Sequence, residues 1–92
     1  MKKINIVLFG TGNVGSRLIN QLLQAREQLR QREDLELNLP IIANSTMAFF
    51  QKENQQQSWE ADFAKFGFPY ELKDILEYVK QQNYENLIAV DA

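Results

Sequence analysis

Ile4-Asn5-Ile6-Val7-Leu8-Phe9-Gly10-Thr11-Gly12-Asn13-Val14-Gly15-Ser16-Arg17-Leu18 is the stretch that decides the fold. A run that is apolar except for Asn5 meets three glycines, and an amphipathic segment starts directly behind them. The spacing is G-x-G-x-x-G, set after an expected strand and opening an expected helix, which is the context in which it signals a dinucleotide. Each glycine has a task. Gly10 allows the tight turn out of the strand. Gly12 lets a pyrophosphate approach the backbone with no Cβ in the way, and Gly15 lets the helix pack closely on the strand. The phosphates would rest on free N–H groups at the positive end of the helix dipole. The competing reading is a strand–helix turn that needs glycine for packing and binds nothing.

Working outward, the nearly continuous apolar run Ile4 to Phe9 suits a strand covered on both faces, with Asn5 read as a strand-end residue. Val14, Leu18, Leu22, Ala25 and Leu29 recur at helical spacing, which predicts a helix from Asn13 to about Arg32 with those residues on its buried face. Arg26, Arg30 and Arg32 near its end complement the dipole. Leu35 to Ala43 reads as a second strand. Pro40 within it cannot donate to a ladder, so either the strand begins there or it bulges there. Met47 to Gln57 reads as a surface excursion. Ser58 is an N-cap for a short helix, Trp59 to Phe66, ended by Gly67, with Trp59, Phe63 and Phe66 sharing a packed face. Phe68-Pro69-Tyr70 reads as a linker. A third helix carries Leu72, Ile75, Leu76 and Val79 to about Gln82, with Lys73–Glu77 and Glu77–Lys80 as helix ion pairs and Asn83 as a left-handed cap. Asn86 to Asp91 is a third parallel-type strand.

The order strand, glycine turn, helix, strand, helices, strand predicts an α/β fold: a Rossmann-type NAD(P)-binding half-domain, three-layer, with a mostly parallel sheet of about three strands. The chain has 92 residues, about one of the two halves of such a domain, so residues 1–92 read as a truncated dinucleotide-binding domain without its substrate and catalytic domain. A net charge of -2 with no basic run argues against nucleic acid. The absence of cysteine and histidine removes disulfides, thiolate catalysis, zinc–thiolate sites and imidazole chemistry, so no metal site is expected within the chain. The apolar run behind Met1-Lys2-Lys3 is shorter than a signal core, and nothing approaches a membrane span, so a soluble cytoplasmic protein is expected. An incomplete sheet leaves an open edge, which predicts self-association into a homo-oligomer.

In the usual NAD site an acidic residue ends the second strand and holds the ribose 2′-OH. Here that strand ends in Ala43-Asn44-Ser45. An amide and a hydroxyl bond a 2′-OH and do not repel a 2′-phosphate, so NADP or NAD fits, with NADP slightly favoured. No arginine adjoins them; the nearest downstream cation is Lys52. A turn or N-cap role for Asn44 and Ser45 is the equal alternative. Asp74 and Glu77, read as a carboxylate pair, lack the apolar surroundings that would tune them for catalysis.

Taken together, Ile6-Val7-Leu8-Phe9-Gly10-Thr11-Gly12-Asn13-Val14-Gly15-Ser16, then Ile42-Ala43-Asn44-Ser45, then Ser58-Trp59-Glu60, then Ala89-Val90-Asp91-Ala92 resemble the N-terminal part of homoserine dehydrogenases. The likeness is strongest to the dehydrogenase portion of bifunctional aspartokinase–homoserine dehydrogenases. The resemblance implies an NAD(P)-dependent oxidoreductase of amino-acid biosynthesis, leading to threonine and methionine. It would interconvert aspartate 4-semialdehyde and homoserine. It implies cofactor contacts from Phe9, Gly10, Thr11, Gly12, Asn13, Val14 and Gly15, adenosine-ribose contacts from Asn44 and Ser45, and a nicotinamide-side loop after Leu87 to Asp91. The family continues Asp-x-Thr there, whereas this chain ends Asp91-Ala92. The family's proton-transfer and substrate-binding groups come from later segments, so these 92 residues alone would be inactive. The alternative is a non-catalytic nucleotide-binding or regulatory module built on the same half-fold.

Overall fold

The computed structural model describes residues 2–51 and 58–92. Most of the polar run expected as a surface excursion, Lys52 included, lies outside them. The described residues form β1 (Lys2–Phe9), α1 (Asn13–Glu33), β2 (Leu35–Ala43), β3 (Met47–Phe50), α2 (Trp59–Phe66), β4 (Phe68–Pro69), α3 (Leu72–Gln82) and β5 (Leu87–Asp91). The sheet order is β4-β3-β2-β1-β5. β1 pairs in parallel with both β2 and β5, while β3 and β4 are antiparallel additions. The fold is thus the expected Rossmann-type α/β arrangement, with a parallel core of three strands.

Two expectations need correction. Met47–Phe50 is a strand, and Phe68–Pro69 pairs with it instead of serving only as a linker, so the sheet has five strands. An apolar run of four residues has no readable period, and only the turn at Asn44 folds it back on β2. Phe50 then stacks at 5.3 Å from Phe68 and 4.3 Å from Tyr78.

Three layers follow from the alternation of side chains along the strands. Ile6 and Leu8 face α1 and α2, meeting Ile19 and Trp59. Val7 and Phe9 face α3, meeting Ile75 and Val79. In β2 the alternation changes phase. Leu37 and Leu39 lie on the α1 side, but so does Ile42, while Ile41 and Ala43 lie on the α3 side. The cause is a bulge: β1 advances from Asn5 to Val7 while β2 advances from Asn38 to Ile41. Pro40 sits in it, so the proline's missing N–H breaks no ladder, and its carbonyl accepts from the Gln51 N–H at 2.8 Å. Of the two readings of Pro40, the bulge is the one adopted.

Asn5 is not at a strand end. It lies in β1 and is buried, and its Nδ2 donates to the Glu85 carbonyl at 2.8 Å. In return Asn86, left-handed at φ 48°, donates its Nδ2 to the Lys3 carbonyl at 2.8 Å. This reciprocal clasp holds the entry of β5 against β1. On the other face, Trp59 donates its indole N–H to Asn20 Oδ1 at 2.9 Å, which ties α2 to α1. Ser58 caps α2 as expected, accepting from the Ala61 N–H. Gly67 ends that helix in extended backbone, where a Cβ would press on the Phe63 carbonyl.

The helical faces are covered less completely than their periodicity implies. Phe66 is 46% exposed although Trp59 is buried and Phe63 packs on the core. Leu72 and Leu76 of α3 are exposed, and only Ile75 is fully covered. Lys73 pairs with Glu71 at 3.3 Å rather than with Glu77. Asp74 accepts from the Glu71 N–H at 3.0 Å in a capping box, a structural task that removes it from any catalytic pair. Asp34 and Asn83 end α1 and α3 in left-handed conformations.

The Asn5→Ala variant should lose about 1–3 kcal/mol of stability, because the Glu85 carbonyl loses its donor. Urea unfolding measures this, and amide exchange should rise first along β5. The Tyr84 phenol is pushed up to about 12, first by burial and then by the charge and hydrogen bond of Tyr78. Its folded value lies above the unfolded one, so its contribution is intact below about pH 10 and is lost as pH rises towards 12. Alkaline unfolding followed by tyrosinate absorbance should show this loss, and Tyr84→Phe should remove it.

Candidate functional site

The carboxyl ends of β1, β2 and β5 converge on one point. Phe9 lies opposite Ala43 on one side and Asp91 on the other. The chain then turns at Gly10, whose N–H donates to the Ala43 carbonyl at 2.6 Å, while the Ala92 N–H donates to the Phe9 carbonyl at 2.8 Å. In an open α/β sheet, the crevice outside such strand ends is where ligands bind.

Two glycines are required by geometry. Gly10 has φ +112°, a conformation that side chains disfavour, and a Cβ there would strike the Ala92 carbonyl. Gly15 is buried, and a Cβ on it would collide with the Gly10 carbonyl oxygen. The first turn of α1 therefore lies against the turn it springs from. Gly12 differs: nothing lies within 4 Å of the position its Cβ would take. It is the N-cap of α1, in extended backbone, and the space beside it is open.

The start of α1 suits an anion. No side chain caps its first turn, and no acidic residue lies within it. The other two helices have side-chain caps and acidic first turns. Unmatched N–H groups with the positive dipole end attract negative charge, and a cradle without a Cβ admits a phosphate to the backbone. The residues present thus fit the pyrophosphate of a dinucleotide. Ser16, which the sequence alone did not single out, braces the turn: its Oγ donates to the Thr11 carbonyl at 2.8 Å and its N–H to the Gly12 carbonyl at 2.8 Å. Its place directly after the third glycine was the available signal.

The candidate residues divide by what they can offer. Gly10, Thr11, Gly12, Asn13 and Gly15 form the turn itself. Phe9 packs its ring into the core on the α3 side, so only its backbone faces the turn. Val14, expected on the buried stripe of α1, is 71% exposed. The stripe starts one turn later, because the first turn of the helix projects past the end of the sheet.

Asn44 and Ser45 follow the end of β2, one and two residues beyond the carbonyl that holds Gly10. Asn44 carries the turn into β3: its Oδ1 accepts from the Thr46 N–H at 2.9 Å and the Met47 N–H at 2.6 Å. Its backbone carbonyl accepts from the Tyr70 hydroxyl at 2.8 Å. Ser45 is exposed. Among the described residues, no cluster of three or more His, Cys, Asp or Glu side chains could hold a metal ion. No helix among them is long and apolar enough to cross a membrane.

No family model matches the chain. It is similar to two curated proteins, each a bifunctional aspartokinase/homoserine dehydrogenase. That of Buchnera aphidicola subsp. Acyrthosiphon pisum is 30% identical over 91 residues, which is 98% of this chain and 11% of that protein. That of Haemophilus influenzae is 26% identical over the same shares. The chain thus spans about a ninth of the length of these relatives. Two crystal structures of Staphylococcus aureus homoserine dehydrogenase, at pH 8.5 and pH 7.5, match its fold with a TM-score of 0.59 at 22% identity. They match over 99% of this chain and 20% and 19% of theirs, respectively.

The glycine geometry sets a contrast in stability. Gly15→Ala should lower Tm by more than about 10 °C, whereas Gly12→Ala should move it by no more than about 5 °C. Thermal unfolding by circular dichroism measures both.

Proposed function

We propose that this chain is the cofactor-binding part of an NAD(P)-dependent homoserine dehydrogenase. Residues 1–92 form a truncated dinucleotide-binding domain, and the groups that bind and protonate the substrate come from other parts of a longer protein. The observation that carries this reading is the uncapped start of α1, with the open, Cβ-free approach at Gly12 beside it. The similarity to bifunctional aspartokinase/homoserine dehydrogenases over nearly the whole chain supports it.

On this reading Gly10 to Gly15 hold the pyrophosphate on backbone N–H groups. Asn44 and Ser45 lie at the adenosine ribose, and the segment after β5 lies on the nicotinamide side. The cofactor, when bound, supplies or accepts the hydride. The chain's own residues bind and orient it. The whole enzyme would act on aspartate 4-semialdehyde and homoserine in the cytoplasm, within the biosynthesis of threonine and methionine. The exposed Leu87 and Ile88 on edge strand β5 support self-association of the chain.

Calorimetric titration with NADPH and NADH tests the reading. Saturable binding of at least one cofactor is expected, and Gly12→Val should weaken it roughly tenfold or more by filling the open approach. No heat at millimolar cofactor from a folded chain would overturn it.

A further inference from the structure

The inward stripe of α1 changes character before the helix ends. Ile19, Leu22 and Leu23 pack on the core, and Arg26 and Arg30 continue the same stripe at helical spacing. Beside them lies a groove of about 320 Å³, with α1 on one side and the start of β2 on the other. Leu23, Leu35 and Leu37 give it apolar walls, Leu37 buried and the other two half-buried. Both arginines are exposed, line the groove, and make no hydrogen bond or ion pair among the described residues. Neither closes the helix, because the Asp34 N–H meets the Leu29 carbonyl there. The two carboxylates that line the groove are engaged elsewhere. Glu27 accepts from the Gln31 side chain at 2.9 Å, and Glu36 lies 3.9 Å from the Lys3 ammonium.

Two uncommitted guanidinium groups facing an apolar wall are complementary to paired carboxylates. The spacing selects how those carboxylates are carried. Residues four apart on a helix advance about 6 Å, and alternate residues of an extended chain share one face about 6.7 Å apart. The residue between them points the opposite way, towards the leucines of β2. We propose that this groove docks an extended acidic segment of a partner protein. Carboxylates at alternate positions of that segment meet Arg26 and Arg30, and the apolar side chain between them meets Leu35 and Leu37. The groove lies at the other end of the sheet from the glycine turn, roughly 20–25 Å along α1 from Gly12. The proposal is therefore independent of the dinucleotide reading.

Two peptides of equal charge and composition test this, acetyl-Ala-Glu-Val-Glu-Ala-amide and acetyl-Ala-Val-Glu-Glu-Ala-amide, each titrated into the full chain by calorimetry. The first should bind saturably, and roughly tenfold or more tightly than the second, whose carboxylates point to opposite faces. Arg26→Gln combined with Arg30→Gln should weaken the first peptide by roughly tenfold or more. Arg26→Glu combined with Arg30→Glu should abolish its binding and accept acetyl-Ala-Lys-Val-Lys-Ala-amide instead. Both positions are exposed, so circular dichroism should show the native fold in each variant, and NADPH titration should match the wild type because the glycine turn is remote. Equal affinity for the two glutamate peptides, an unchanged affinity in the glutamine variant, or glutarate binding as tightly as the first peptide would overturn the proposal. So would a folded chain that shows no binding of the first peptide at millimolar concentration.

Discussion

The close approach of the start of α1 to the turn that precedes it is the constraint on which the rest depends. Gly15 lies where any side chain would meet the Gly10 carbonyl, and Gly10 holds a backbone angle that only glycine adopts readily. With both in place, α1 leaves β1 at once and lies back along the sheet, which brings Ile19 onto Ile6 and Leu8. The same closeness leaves the first N–H groups of the helix directed past the strand ends. The core and the candidate site therefore share one cause: a backbone tight enough to pack the helix also presents its dipole to the crevice.

The strand ends are aligned by devices spaced along the sheet. The clasp between Asn5 and Asn86 fixes β5 at its entry, and the Ala92 N–H on the Phe9 carbonyl fixes it at its exit. The bulge at Pro40 does the same for β2 by another route. Without the extra residue, Ile41 to Ala43 would present the opposite faces to the two helical layers. The strand would then end one residue out of phase with Gly10, and Asn44 would not stand beside the glycine turn.

Asn44 joins the parallel core of the sheet to its antiparallel extension. Its side chain turns β2 into β3 by accepting from the Thr46 and Met47 N–H groups. Tyr70 links the same residue to the segment before α3. Both helical layers therefore bear on this corner, α3 through Tyr70 and α1 through Gly10.

The sequence by itself determined the parallel α/β framework, because strand and helix periods and the glycine spacing are local signals. Gly10 to Gly15 announced the turn, Ser58 and Asn83 marked helix ends, and Leu35 to Ala43 showed their strand. Pro40 announced a choice without making it, since a bulge is defined only against the neighbouring strand. Only the tertiary structure decided the rest. Met47–Phe50 is too short to carry a period, and Phe68–Pro69 becomes a strand only by pairing with it. Asn5 reads as a polar interruption until Glu85, distant in the chain, supplies the carbonyl it serves. Val14 continues a helical stripe in sequence, but the sheet ends before it, so it stands exposed at the mouth of the site. Asn44 looked equally suited to a turn and to a ribose. The folded turn gives it the first task, because the Thr46 and Met47 N–H groups meet its Oδ1.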